Sequence, residues 1–312
     1  MRSFLLLTLA ALVACGDGTI DSDPRAVSRD ASADKATSEG TGSPAAHADT
    51  VRTPTPSAAS STPRDAPTPA PTPPASAAAE RPSWLGMREL PLRADGFGEI
   101  PPTPEELTDR RFAPPQNDLP PPDDEAFRAT SEPVPSEVAA RSTWTPACPV
   151  DLDDLRYVTV TFWGFDDRPH TGELLVHTSA AQDLVDVFEQ LYNARFPIEE
   201  MRVVAADELD APPTGDGNNT TAFVCRPSVG SDSWSQHASG LAVDINPFHN
   251  PYARDDVVLP ELASAYVDRA HHRPGMIQSG DVVTEAFAEI GWGWGGDWRS
   301  AKDWMHFSVS GR

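Results

Sequence analysis

Residues 16–83 hold almost no large apolar side chain. Ala, Ser, Thr, Pro and Asp make up most of this stretch. Runs such as Thr53-Pro54-Thr55-Pro56 and Ala66-Pro67-Thr68-Pro69-Ala70-Pro71-Thr72-Pro73-Pro74 favour polyproline II. A segment of this kind cannot bury enough surface to offset the entropy lost on ordering. It is expected to be a disordered linker, so the fold must come from the residues C-terminal to it. Most of the 33 prolines lie before residue 150. Residues 84–143 are still proline-rich, but Trp84, Leu90, Phe97, Phe112 and Phe127 punctuate them. Single apolar anchors of this kind predict an extended arm wrapping the folded part, the alternative being a sticky linker. Residues 102–107 can start one short helix. Residues 144–312 are long enough to bury a core.

The first fifteen residues read as an export signal. Arg2 gives a basic start, and Phe4 to Val13 form an apolar run too short to span a bilayer. Leu12-Val13-Ala14-Cys15 then resembles a bacterial lipobox, which implies cleavage before Cys15 and lipidation of that residue. The alternative is an ordinary signal peptide. The expected address is the cell envelope, lipid-anchored and extracytoplasmic, at the outer membrane or periplasm if the cell has an outer membrane. Export also makes pairing of Cys148 with Cys225 plausible, because that compartment is oxidising. The bridge would close a long loop and stabilise by about 4 kcal/mol in the loop-entropy picture. Two buried free thiols are the alternative.

The net charge of −23 and the lack of a basic patch argue against nucleic-acid binding. An acidic surface also disfavours docking on anionic lipid.

Within 144–312 the pattern is mixed. Residues 156–163 alternate and are β-rich, and 173–177 form an antiparallel partner across an Asp-Asp-Arg-Pro turn. Ser179 is placed to cap a helix carrying Leu184, Val187, Phe188, Leu191 and Tyr192 on one face. Residues 201–206 read as a third strand and 241–245 as a fourth, with long loops over 207–236 and 246–281. A second helix is expected over 282–290 and a closing strand over 307–309. The class is α+β: a small antiparallel sheet with helices packed on one side.

Two short stretches carry the chemistry. Ser235-Gln236-His237-Ala238-Ser239-Gly240-Leu241-Ala242-Val243-Asp244 contains a His and an Asp seven positions apart. Asp303-Trp304-Met305-His306-Phe307 adds a second His. Zinc takes nitrogen and oxygen ligands in a tetrahedron, and catalytic sites leave one position to water. His237, Asp244 and His306 supply three ligands. Asp303 can stand beside that water as a general base without ligating. The bland reading, a buried polar strand, does not account for the second cluster.

At these residues the sequence resembles the zinc metallopeptidases that include D-alanyl-D-alanine carboxypeptidases, van-type D,D-dipeptidases and L-alanyl-D-glutamate endolysins. The resemblance covers 144–312, including the Gly-Trp-rich stretch 291–298. It implies a Hedgehog/D,D-peptidase-like fold and zinc bound by His237, Asp244 and His306. It also implies Asp303 as base, where many members carry Glu. Ser235 matches the Ser near the scissile carbonyl. The usual Arg-containing turn after 201–206 is missing, which leaves Arg226 as the candidate for the oxyanion Arg. The expected activity is hydrolysis of peptidoglycan stem peptides by a monomer anchored through its N-terminal lipid. The alternative is a non-catalytic zinc-containing lipoprotein that binds peptidoglycan.

Other residues carry weaker signals. His170, His177 and the His271-His272 pair read as surface or packing, while His249 is close enough in sequence to the motif to approach the site. Trp292, Trp294, Trp298 and Trp304 fit either core packing around glycine turns or a stacking platform.

Overall fold

In the computed structural model the described residues are 78–115, 119–228 and 232–312, all within the unit Ala70–Arg312. Cys15, the signal segment and most of the 16–83 linker lie outside them.

The β-rich alternation at 156–163 does form a strand, and it organises one side of the molecule. Strands β1 (Ala129–Pro133), β2 (Leu155–Trp163) and β3 (Pro169–His177) make an antiparallel sheet in the order β1-β2-β3. Side chains alternate across a strand. Val158, Val160, Phe162, Leu174 and Val176 therefore share one face, and Leu175 falls on the other. The first face packs on α2 (Ala181–Asn193), whose Leu184, Val187, Phe188, Leu191 and Tyr192 are buried at helical spacing. Leu175 joins Val138, Val150, Leu155, Val203 and Phe223 in a second cluster around the Cys148–Cys225 disulfide. A short helix, α1 (Ser136–Arg141), contributes Val138 to that cluster.

The helix start differs from the expectation. Thr178–Ala180 is a 3-10 turn, and it is the His177 ring that accepts the Ser179 N–H. The Ser179 hydroxyl is engaged by His177 Nδ1 at 2.8 Å and caps nothing. The strand expected over 201–206 shrinks to β4 (Glu200–Met201), paired in parallel with β5 (Asn219–Thr220). Beyond it Arg202 turns to pair with Glu200 and Glu208, and Ala206–Asp210 coils into a 3-10 turn.

The expected fourth strand is β6 (Ala242–Asp244). The loop expected over 246–281 instead contains a hairpin, β7 (Tyr252–Arg254) and β8 (Val257–Leu259), turned by Asp255 at φ 52°. The second helix is α3 (Val282–Glu289), capped by Asp281, whose side chain accepts from Val283 and Thr284 N–H. Strands β9 (Gly293–Trp294), β10 (Lys302–Asp303) and β11 (His306–Ser308) come next. The class is α+β, but the single sheet resolves into three small antiparallel sheets, β1-β2-β3, β10-β7-β8 and β6-β11-β9, with the parallel pair beside them.

Residues 78–115 and 119–133 are part of this packing. β1 runs along β2, and Leu107 and Phe112 are buried among Phe248, Leu262, Tyr266 and Met276. The Arg110 guanidinium binds both oxygens of Glu199 at 2.7 and 2.8 Å and donates to Asp216 O. The short helix expected over 102–107 is the 3-10 turn Glu105–Leu107. β1 and α1 have no counterpart in the sequence reading.

Candidate metal centre

The local fold explains why the motif has its spacing. Ser235 precedes the 3-10 turn Gln236–Ser239, and its hydroxyl accepts the His237 N–H at 3.3 Å. Gly240 ends the turn at φ 66°, a left-handed position, and a Cβ there would stand 2.6 Å from His177 N. The chain then enters β6, where buried Ala242 and Val243 precede Asp244. β6 pairs antiparallel with β11, with His306 directly opposite Asp244. Opposed residues put their side chains on the same face, so the register itself brings these two ligands together.

The three side chains converge. His237 Nε2 lies 3.2 Å from an Asp244 oxygen and 3.2 Å from His306 Nδ1, and His306 Nδ1 lies 3.1 Å from the other Asp244 oxygen. The outward ring nitrogens are satisfied by main chain: His237 Nδ1–H donates to Ala222 O at 2.6 Å and His306 Nε2–H to Arg312 O at 3.4 Å. These bonds fix the tautomers and leave both inward nitrogens as lone pairs. Two lone pairs and a carboxylate face one another with no proton between the nitrogens. Bonds of about 2.0–2.1 Å to a tetrahedral centre would separate ligand atoms by about 3.3 Å. The donor set therefore fits a divalent cation.

Asp303 lines the same cleft and lies outside the His237-Asp244-His306 group. Its strand pairs with β7, opposite Tyr252, and its approach to the β9 turn requires Gly295, where a Cβ would lie 2.5 Å from Asp303 O. Its Oδ1 is buried and finds no partner among the described residues. Burial first, and the Asp244 carboxylate second, push its pKa up to about 7, with His306 and Arg226 opposing. A cation between the ligands would lower it again. Ser235 and Arg226 line the same cleft, a cavity of about 1030 Å³. Arg226 is held in place from one side by the Cys148–Cys225 bridge, whose second cysteine is its chain neighbour.

The other histidines among the described residues stay out. His249 is fully buried, donating or accepting at Asn218 and bonded to Arg110 O, and burial pushes it down to about 4. His170 pairs with Asp166, and His271 and His272 are exposed. Of the four tryptophans, Trp298 lines the cleft and tilts against His306 at 5.6 Å, while Trp292 is buried in the core. Trp234 and Tyr252 also line the cleft, and the sequence reading did not single them out. A turn signal was present for Tyr252, since Asp255-Asp256 sits between two short β-rich pieces.

His237, Asp244 and His306 thus form a group that could hold a cation, with the Asp303 carboxylate lining the same cleft. Residues 229–309 match the sequence profile of a family described as D-alanyl-D-alanine carboxypeptidase, the family that the two motifs resemble. This supports a carboxypeptidase-like peptidase. No curated protein and no solved structure gives a significant match to the chain.

Proposed function

We propose that the protein is a zinc-dependent peptidase of the cell envelope that hydrolyses peptide bonds in peptidoglycan stem peptides. The observation that carries this reading is the pair of inward imidazole lone pairs facing Asp244, with the unpartnered Asp303 carboxylate beside them. His237, Asp244 and His306 would hold the zinc. When bound, it supplies a Lewis acid and makes water a stronger acid near neutral pH.

The chain's own residues supply the rest. Asp303, desolvated and with one oxygen free, takes a proton from the attacking water and returns it to the leaving amine. Arg226, one of the arginines lining the cleft, offsets charge developing on the carbonyl oxygen, an effect often worth several kcal/mol. Ser235 fixes the turn that aims His237 and offers its hydroxyl to the substrate. The small sheets that carry these groups are consistent with a D,D-peptidase-like fold.

Zinc content tests the ligand set. Purified wild type is expected to carry about one zinc per chain, and His237→Ala to lose it. Elemental analysis reads this directly, and unchanged zinc in the variant would remove His237 from the site.

The envelope address rests on Leu12-Val13-Ala14-Cys15. Cys15→Ser is expected to shift the protein from the membrane to the soluble fraction on cell fractionation. Equal membrane retention of both forms would count against lipidation of Cys15.

A further inference from the structure

The cleft does not end at the metal ligands. Residues of the β10-β7-β8 sheet line it as well, and so does a residue of the N-terminal arm, Phe97. This residue lies well outside the matched segment 229–309.

Phe97 is held there by a built turn. Arg93 N donates to Phe97 O at 2.7 Å, and Leu92 and Gly98 bridge in antiparallel fashion. Asp95 pairs with Arg93 and accepts the Phe97 N–H. Both legs of the turn are fastened to residues that line the cleft. The Arg93 guanidinium reaches Asp256 on the β7–β8 turn at 2.9 Å. Gly98 N donates at 2.8 Å to Glu261, a carboxylate only 5 % exposed. A Cβ at Gly98 would stand 2.9 Å from that same oxygen, so the close approach depends on glycine.

The sheet sets the scale. Asp303 is opposite Tyr252, and Tyr252 is opposite Leu259, another cleft residue. Two strand spacings amount to about 10 Å. An extended peptide advances about 3.3 Å per residue, so about three residues span the sheet from Asp303 to β8, the strand flanked by Asp256 and Glu261, which hold the arm.

We propose that the Arg93–Gly98 turn is a specificity determinant, in which Phe97 walls off one limb of the cleft and limits the peptide on that side of the scissile bond to about three residues. This rests on the peptidase reading above. Phe97, Val257 and Leu259 offer apolar surface to the substrate end that reaches them.

The test uses the zinc-loaded full chain and two peptide series, one lengthened residue by residue at the amino side of the scissile bond and one at the carboxyl side. In one series, wild-type kcat/KM is expected to fall about tenfold or more beyond about three residues, the scale at which pockets discriminate by size. Phe97→Ala should abolish most of that fall, and Arg93→Ala, which frees the turn from Asp256, should reduce it with zinc content unchanged. Identical length profiles in wild type and both variants would overturn the proposal. If wild type cleaves no peptide, the peptidase reading fails, and calorimetric binding of the same series to zinc-loaded Asp303→Asn decides the wall. Length-dependent affinity relieved by Phe97→Ala would support it; length-independent affinity or no binding would overturn it.

Discussion

Asp303→Asn is expected to cut turnover about a hundredfold or more while the protein keeps its zinc and its fold. The scale is that of general-base catalysis. Asn matches Asp in size, so Gly295 can still accommodate it, but it cannot take a proton. His237, Asp244 and His306, whose facing atoms lie 3.1–3.2 Å apart, are not altered by the substitution. Turnover of a stem-peptide substrate and metal content, measured on the same preparation, check this. Loss of zinc in the variant would make Asp303 a ligand and the site a closed, structural one. Full activity with full zinc would place the base elsewhere. Glu289 is a poor substitute, since it is engaged by Gln190 on the outside of α3.

Arg110→Ala is expected to destabilise the protein by about 3–5 kcal/mol, because it strips a fully buried Glu199 of its bidentate partner. Arg81 and Asn218 remain on Glu199, which argues for the lower end of that range. Denaturant titration at neutral pH measures the loss, and a change below about 1 kcal/mol would show that the pair is not what holds the arm. Acid should have a related effect on wild type. Burial would raise Glu199, but Arg110 outweighs it and holds the group below its ordinary value of 4.5. Its contribution is therefore present above that value and is lost as the pH falls toward the folded one. Arg110→Lys is expected to recover only part of the stability, since an ammonium cannot form the fork.

The convergence of His237 and Asp244 was legible because their spacing is local chemistry. The His-to-Asp interval is one capped turn, one left-handed glycine and one short strand, each with its own residue signature. Asp303 and His306 were legible for the same reason. The strand β2, its partner β3 and helix α2 came from apolar periodicity. What could not be read depends on distant partners. β1 is too polar and exposed to announce itself, and it exists because Thr130 and its neighbours pair with β2. The strand expected at 201–206 fails because Arg202 finds two carboxylates that bend the chain away. Phe97 looked like a stray anchor, and only the folded arm brings it to the cleft.

The way β1 covers β2 fixes where the protein can be cut. A fragment beginning at residue 144 would leave β2 as a bare sheet edge, with its N–H and C=O groups free to pair with another chain. It would also uncover Phe248, Tyr266 and Met276 where Leu107 and Phe112 now sit. Such a piece would retain His237, Asp244 and His306 and still self-associate. The minimal soluble unit therefore starts upstream of the arm, not at residue 144.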